Sequence, residues 1–250
     1  MTRGLHPHLL QLVAVVTTAI TLALLALAAV DPITGNADEA VARWVADPRA
    51  TWLEAVVRAP SWIGGRIGLL ASGLVAALLL IRERAWVDLG FLVGAFAGSQ
   101  LVAGALQALF GRSRPDLEPV VALPASASLP SVHAAAGTAC VGALAVLATE
   151  RISSHRWRIA IWSAAVVLGV AVGLSRLVLG VHWLSDVLAG WALGIAWLTL
   201  CLLAREAARR RRARPPANRG RPAGRRALHR VLVSIWARAA SNERGKSTEK

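Results

Sequence analysis

The sequence predicts an all-α polytopic membrane protein, a bundle of six transmembrane helices with interfacial helices in its first outer segment. Three observations carry this expectation. Of the 250 residues 56% are hydrophobic, and the mean hydropathy is +0.54, leaving too little polar surface for a soluble domain of this length. Six apolar segments approach the roughly 20 helical residues that cross a bilayer core of about 30 Å. They are 9–30, 67–81, 89–110, 132–149, 159–174 and 187–204. Finally, the formal charge of +14 is concentrated at one end.

Each element has its own justification. The run from Leu9 to Val30 has 22 residues without a charge, longer than a signal-peptide core, and reads as a retained span behind a short N-terminus, 1–8. The shorter segments reach full length with flanking residues such as Trp157 or the 182–186 turn. The first outer segment, 31–66, carries helix signals. Asn36 precedes "ADEAVARWV", and Thr51 with Glu54 forms a Thr-x-x-Glu capping box. Both pieces are amphipathic and carry Trp, which suits helices at the interface; packing and a lid over a site are both open. The ten tryptophans lie mostly near span ends, as in an aromatic belt, and none is assigned a function. Cys140 and Cys201 fall inside spans as small apolar fillers, without a disulfide or metal framework.

The tail, 205–250, holds 15 of the 28 Lys and Arg against three acids, a net +12. The positive-inside bias places it in the cytoplasm, and six spans return the N-terminus to the same side. Elsewhere six basic residues fall inside and seven outside, so orientation rests on the tail. An Arg-rich segment directly after a span reads as a topology anchor on anionic lipid rather than a nucleic-acid-binding arm. Within it, residues 228–239 have the pattern of a basic surface helix.

Polar residues that composition does not excuse form three clusters. "LQALFGRSRPD" holds Gln107, Arg112 and Arg114; "LPSVHAAAG" holds Ser131 and His133; "SRLVLGVHWLSD" holds Arg176, His182 and Asp186. Alternation of the spans puts all three at the same, outer depth. Two arginines offer planar, permanently charged forks for phosphate oxygens. Ser131, after Pro130 and before a helical run, is an N-cap whose helix start cradles an anion. His182 and Asp186, four apart, share a helix face, so the carboxylate fixes the imidazole tautomer. A lone Arg or His at a span end commonly snorkels. Three such clusters together point to a site, because each buried unpaired charge costs about 2.5–3.5 kcal/mol on insertion scales.

Taken together, "RSRP" (112–115), "PSVH" (130–133) and "SRLVLGVHWLSD" (175–186) resemble the three signatures of the type 2 phosphatidic acid phosphatase superfamily, over roughly residues 60–204. The family pattern is K-x6-R-P, P-S-G-H and S-R-x5-H-x3-D. The third is matched without departure. The resemblance implies a phosphatase that uses no metal or other cofactor and works through a phosphohistidine. By motif position His182 attacks phosphorus, Asp186 orients it, and His133 protonates the leaving oxygen and then activates water. Arg114 and Arg176 clamp the phosphoryl oxygens, Ser131 and the backbone N–H of Val132 complete the cradle, and Arg112 supports. Two positions depart: Gln107 replaces the family Lys, and Val132 the Gly. Val132 keeps its N–H, but a positive φ there would strain it. The implied substrates are lipid phosphates and diphosphates of the cell membrane, among them polyprenyl diphosphate, phosphatidylglycerophosphate and phosphatidic acid. A lipid-phosphate binder without turnover is the alternative. A small transporter fits less well, for lack of a repeat or of polar residues at mid-depth.

Overall fold

The computed structural model describes residues 7–29, 31–46, 66–116, 125–213 and Val233. Among them there is no strand. The helices are α1 (Pro7–Ala29), α2 (Asp31–Ala46), α3 (Arg66–Arg82), α4 (Trp86–Val93), a π-turn (Gly94–Gly98), α5 (Ser99–Phe110), α6 (Val132–Glu150), α7 (His155–Val178) and α8 (Leu184–Ala213). Residues 1–208 form one compact unit and 209–250 a second, of which only 209–213 and Val233 are described. Thr51, Glu54 and most of 228–239 lie outside the described residues.

Five apolar helices are long enough to cross a bilayer: α1, the continuous run 86–110, α6, α7 and α8. α3 has 17 residues, a rise of about 25 Å, and falls short of a bilayer core by itself. Among the described residues five helices are therefore full-length, where the sequence predicts six spans. Leu101 and Leu109 are 73% and 75% exposed, as side chains facing acyl chains should be. α2 begins at Asp31, five residues before the predicted cap at Asn36. Pro32 in its first turn needs no hydrogen-bond donor there, so the helix runs through Gly35 and Asn36.

α6 is the axis of the bundle. Of its apolar window 67% is buried, against 22–39% for the other four. Small residues make this possible: Ala134, Ala135, Gly137, Ala139, Gly142 and Ala143 let neighbouring backbones close in. α8 answers with Gly190 and Gly194, one turn apart. A Cβ on Gly190 would lie 2.7 Å from the Ser131 carbonyl oxygen, and one on Gly194 2.6 Å from that of Ala135. Gly190→Ala is therefore expected to cost about 1–3 kcal/mol, read as a lower melting temperature in detergent micelles.

Two tryptophans lie mid-helix, away from any belt. Trp191 Nε1 donates to Gly169 O on α7 at 3.1 Å, and Trp197 Nε1 to Gly94 O at 2.9 Å. The second bond reaches the π-turn, where the widened helix opens a carbonyl to an outside donor.

At the end of the bundle where α4 starts and α6 ends, Arg205 of α8 is enclosed. It donates to Asp88 at 2.9 Å and to both oxygens of Glu150 at 2.7 and 2.8 Å, and its guanidinium lies 4.9 Å from the Phe91 ring centre. Counted with the basic tail from sequence, Arg205 instead ties three helices together.

Candidate active site

The three polar clusters meet at the opposite end of the bundle, where α5 and α7 end and α6 and α8 begin. Gly111 closes α5 in the left-handed conformation (φ +61°), its N–H bonded to Gln107 O at 3.0 Å. The chain then continues without helix through Arg112 and Arg114, whose side chains both reach the bundle end. Buried Ser128 holds this strip, its N–H bonding Arg112 O at 2.9 Å and its Oγ Ser113 O at 2.9 Å.

Arg114 is fixed on four sides. Its Nε donates to Ser126 O at 3.0 Å, and Nη2 to Ala127 O at 3.1 Å and Ser126 Oγ at 3.2 Å. Its Nη1 donates to Val181 O at 2.6 Å and stands 3.3 Å from His182 Nε2. A guanidinium only donates, so in the neutral imidazole Nε2 carries the lone pair and Nδ1 the proton. Nδ1 lies 3.5 Å from Asp186 Oδ2, a close approach without a formed hydrogen bond. Such contacts tighten as charge develops on the ring.

His182 is presented by a tight turn after α7, closed by Gly180 at φ +68° and by Val181 N–H to Arg176 O at 3.2 Å. Its side chain is 3% exposed. Burial pushes its pKa below the ordinary imidazole value; Asp186 opposes this, and the Arg114 and Arg176 cations reinforce it. The ring is therefore neutral at neutral pH. Arg176, in the last turn of α7, has Nε 3.3 Å from Ser175 Oγ.

Asp186 is fully buried at the third position of α8 and reaches back to the Trp183 N–H at 2.9 Å, half of a capping box. Its other oxygen accepts from Arg112 Nη1 at 2.8 Å. Arg112 Nη1 also donates to Ser185 Oγ at 2.7 Å, and Nη2 to Asp38 Oδ2 at 2.9 Å. Two arginines two residues apart thus do different work: Arg114 faces the imidazole, and Arg112 is spent on carboxylates.

Ser131 is the N-cap of α6, as predicted, its Oγ accepting from Ala134 N at 3.4 Å. Its own N–H bonds Asp186 O at 3.0 Å, which couples the second cluster to the third. Val132 takes an ordinary helical conformation: among the described residues other than Gly, only Arg84 has positive φ. Gln107 is buried, with Nε2 bonded to Pro130 O at 2.9 Å, so its donor braces the loop before Ser131. His133, in the first turn of α6, lines a mainly apolar groove with Leu69 and Leu70 of α3, Phe96 of the π-turn and Gln100 of α5.

Asp38, Ser185 and Trp183 were not singled out from sequence. Asp38 sits in an ordinary helical surface pattern, and only the fold buries it. Trp183 lies 5.8 Å from the Arg112 guanidinium, and its Nε1 bonds Ser113 O at 3.0 Å.

Residues 88–210 match the PAP2 superfamily. Phosphatidylglycerophosphatase B of Bacillus subtilis is 30% identical over 164 residues, which cover 64% of this chain and 79% of that protein. The chain belongs to the PAP2 superfamily. Membership makes it a phosphoric monoester hydrolase of the PAP2 type. A decaprenylphosphoryl-5-phosphoribose phosphatase of Mycobacterium tuberculosis is 37% identical over 133 residues, 51% of this chain and 66% of that one. The crystal structure of a transmembrane PAP2 type phosphatidylglycerolphosphate phosphatase from Bacillus subtilis superposes with a TM-score of 0.70 at 26% identity. That likeness covers 78% of this chain and 96% of the other. The PAP2 fold thus extends beyond the matched motifs, over most of the membrane bundle.

Proposed function

We propose that this PAP2 protein hydrolyses a lipid phosphate or polyprenyl diphosphate at the outer membrane face through a phosphohistidine on His182. The observation that carries the reading is the seat of His182, between Arg114 at Nε2 and Asp186 at Nδ1.

In the first step the Nε2 lone pair attacks phosphorus. The bond from phosphorus to the lipid oxygen breaks, and His133 gives that oxygen its proton. Charge that develops on the ring is met at Nδ1 by Asp186. Arg114 and Arg176 offset the negative charge of the transferring group, and Ser131 and the Val132 N–H complete its surroundings; such positioning and charge stabilisation are what phosphoryl transfer chiefly needs. In the second step His133, now neutral, takes a proton from water as the water attacks phosphorus. The phosphorus–Nε2 bond breaks, and phosphate leaves. No metal or other cofactor takes part.

The topology is six spans, with α3 completed by its flanking residues. The basic tail holds both termini in the cytoplasm and leaves the site outside. The lipid chain stays in the membrane, and the groove at His133 is apolar enough to border it.

One observation favours a second reading, a lipid-phosphate binder with weakened turnover. Gln107, where the family carries Lys, brings no cation and spends its amide on Pro130. That reading expects vesicle binding without turnover, and activity gained by Gln107→Lys with Val132→Gly.

The deciding experiment uses radiolabelled polyprenyl diphosphate, phosphatidylglycerophosphate and phosphatidic acid with acid-free quenching. An alkali-stable, acid-labile phosphoryl group on the peptide containing His182, with release of inorganic phosphate, is expected from at least one lipid. Binding of all three without label or phosphate release would leave only the second reading.

A further inference from the structure

We propose that Asp38, on α2 and outside all three polar clusters, is a positioning residue that shares the charge of Arg112 and so keeps Asp186 turned to His182. The proposal rests on the phosphohistidine reading of the site.

Asp38 is 2% exposed, and its partners are far away in sequence. Its Oδ1 accepts from the Ser185 N–H at 2.8 Å, so it caps the start of α8 from another helix. Its Oδ2 accepts from Ser185 Oγ at 2.6 Å and from Arg112 Nη2 at 2.9 Å. Arg112 therefore bridges two buried carboxylates, with one edge on Asp38 and the other on Asp186 Oδ1 at 2.8 Å. α2 is seated there by apolar contact too, as Val41 packs against Ala134, Leu177 and Val187.

This arrangement bears on the nucleophile. Asp186 has two oxygens and three partners: Arg112 at Oδ1, and both the Trp183 N–H and the approach of His182 at Oδ2. Without Asp38, both edges of the guanidinium are drawn to Asp186, the fork geometry such pairs prefer. The carboxylate is then pulled against its Trp183 N–H bond and away from the imidazole, and an unshared cation stands beside the acid that supports it. The charged groups bearing on His182 are Asp186 from α8, Arg114 from the 111–116 strip and Arg176 from α7. α6 brings His133 in its first turn, and the charge of α2 reaches the site through Arg112 and Ser185.

Asp38→Asn separates charge from cap. The amide oxygen still accepts from Ser185 N, while the NH2 group faces Arg112 donor to donor. In the purified full-length chain, this variant is expected to lose about tenfold in kcat with KM within about twofold, since Asp38 touches no substrate. Asp38→Glu restores part of the loss. Adding Asp38→Asn to Arg112→Gln costs little beyond Arg112→Gln alone. Histidine-labelled NMR gives a readout independent of turnover. The chain has six histidines, His182 being assigned by its loss in His182→Asn. In Asp38→Asn the His182 titration moves to lower pH, because the uncompensated Arg112 cation disfavours imidazolium. Wild-type kcat, or a fall in kcat that follows a lower melting temperature with the His182 titration unmoved, would overturn the proposal. If the wild type releases no phosphate from any lipid, the phosphatase reading fails, while the titration still judges Asp38.

Discussion

Replacing His182 with alanine is expected to remove phosphate release by about 10⁴-fold or more, since no other side chain can take its place as nucleophile. Lipid binding should survive, because Arg114 keeps its anchors on Ser126, Ala127 and Val181. Asp186→Asn tests the other side of the ring. It leaves volume nearly unchanged but removes the charge that stabilises imidazolium, and a loss of about 10²–10⁴-fold is expected. The pH profile of the wild type supplies a third check. Burial and two cations lower the His182 pKa, so the acid limb of kcat/KM should lie below the ordinary imidazole value of about 6.5. The sign is fixed: protonating Nε2 removes the lone pair, so activity falls as pH falls through the lowered value. An acid limb well above 6.5 would contradict the neutral, buried imidazole on which the mechanism depends.

Arg205→Ala is expected to give the largest loss of stability. Removing one partner from a buried ion pair costs about 3–5 kcal/mol, because the remaining charge is left without compensation. The low end applies here. The Glu150 side chain is 36% exposed and regains water more readily than Asp88, at 15%. The contact with Phe91 adds to the loss, so about 3 kcal/mol is expected from unfolding in detergent. Arg205→Met with Asp88→Asn and Glu150→Gln should recover much of it, since the carboxylates are then gone with their partner. A melting temperature unchanged in Arg205→Ala would mean that the three helices are held by apolar packing alone.

Most of the bundle was legible from local signals. Hydropathy marks the helices because lipid rejects polar backbone and side chains alike, and Pro130 followed by Ser131 announces the start of α6. The spacing of His182 and Asp186 suggested one helix face; in the structure only Asp186 is helical, and His182 meets its carboxylate from the turn before α8. α2 was legible as a helix but not in its start, because Gly35 and Asn36 look like a break until the turn beginning at Asp31 is seen. The sixth span is the one that the helix itself does not complete, since the 17 residues of α3 fall just under the length a membrane asks for.

By itself the sequence determined that this is a helical membrane protein with three polar clusters at one end of its bundle, the third spaced for an imidazole and a carboxylate. Only tertiary structure decided what each charge does. Arg112 and Arg114 are the same residue type in the same strip, yet one is held between Asp38 and Asp186 and the other meets His182. Arg205 reads as the first of a basic tail, yet it closes the far end of the bundle. Hydropathy and helix periodicity are properties of neighbours along the chain. The partner of a buried charge is set by which distant carboxylate the folded helices bring within about 3 Å, where a charge-assisted hydrogen bond and a low dielectric make the choice strong.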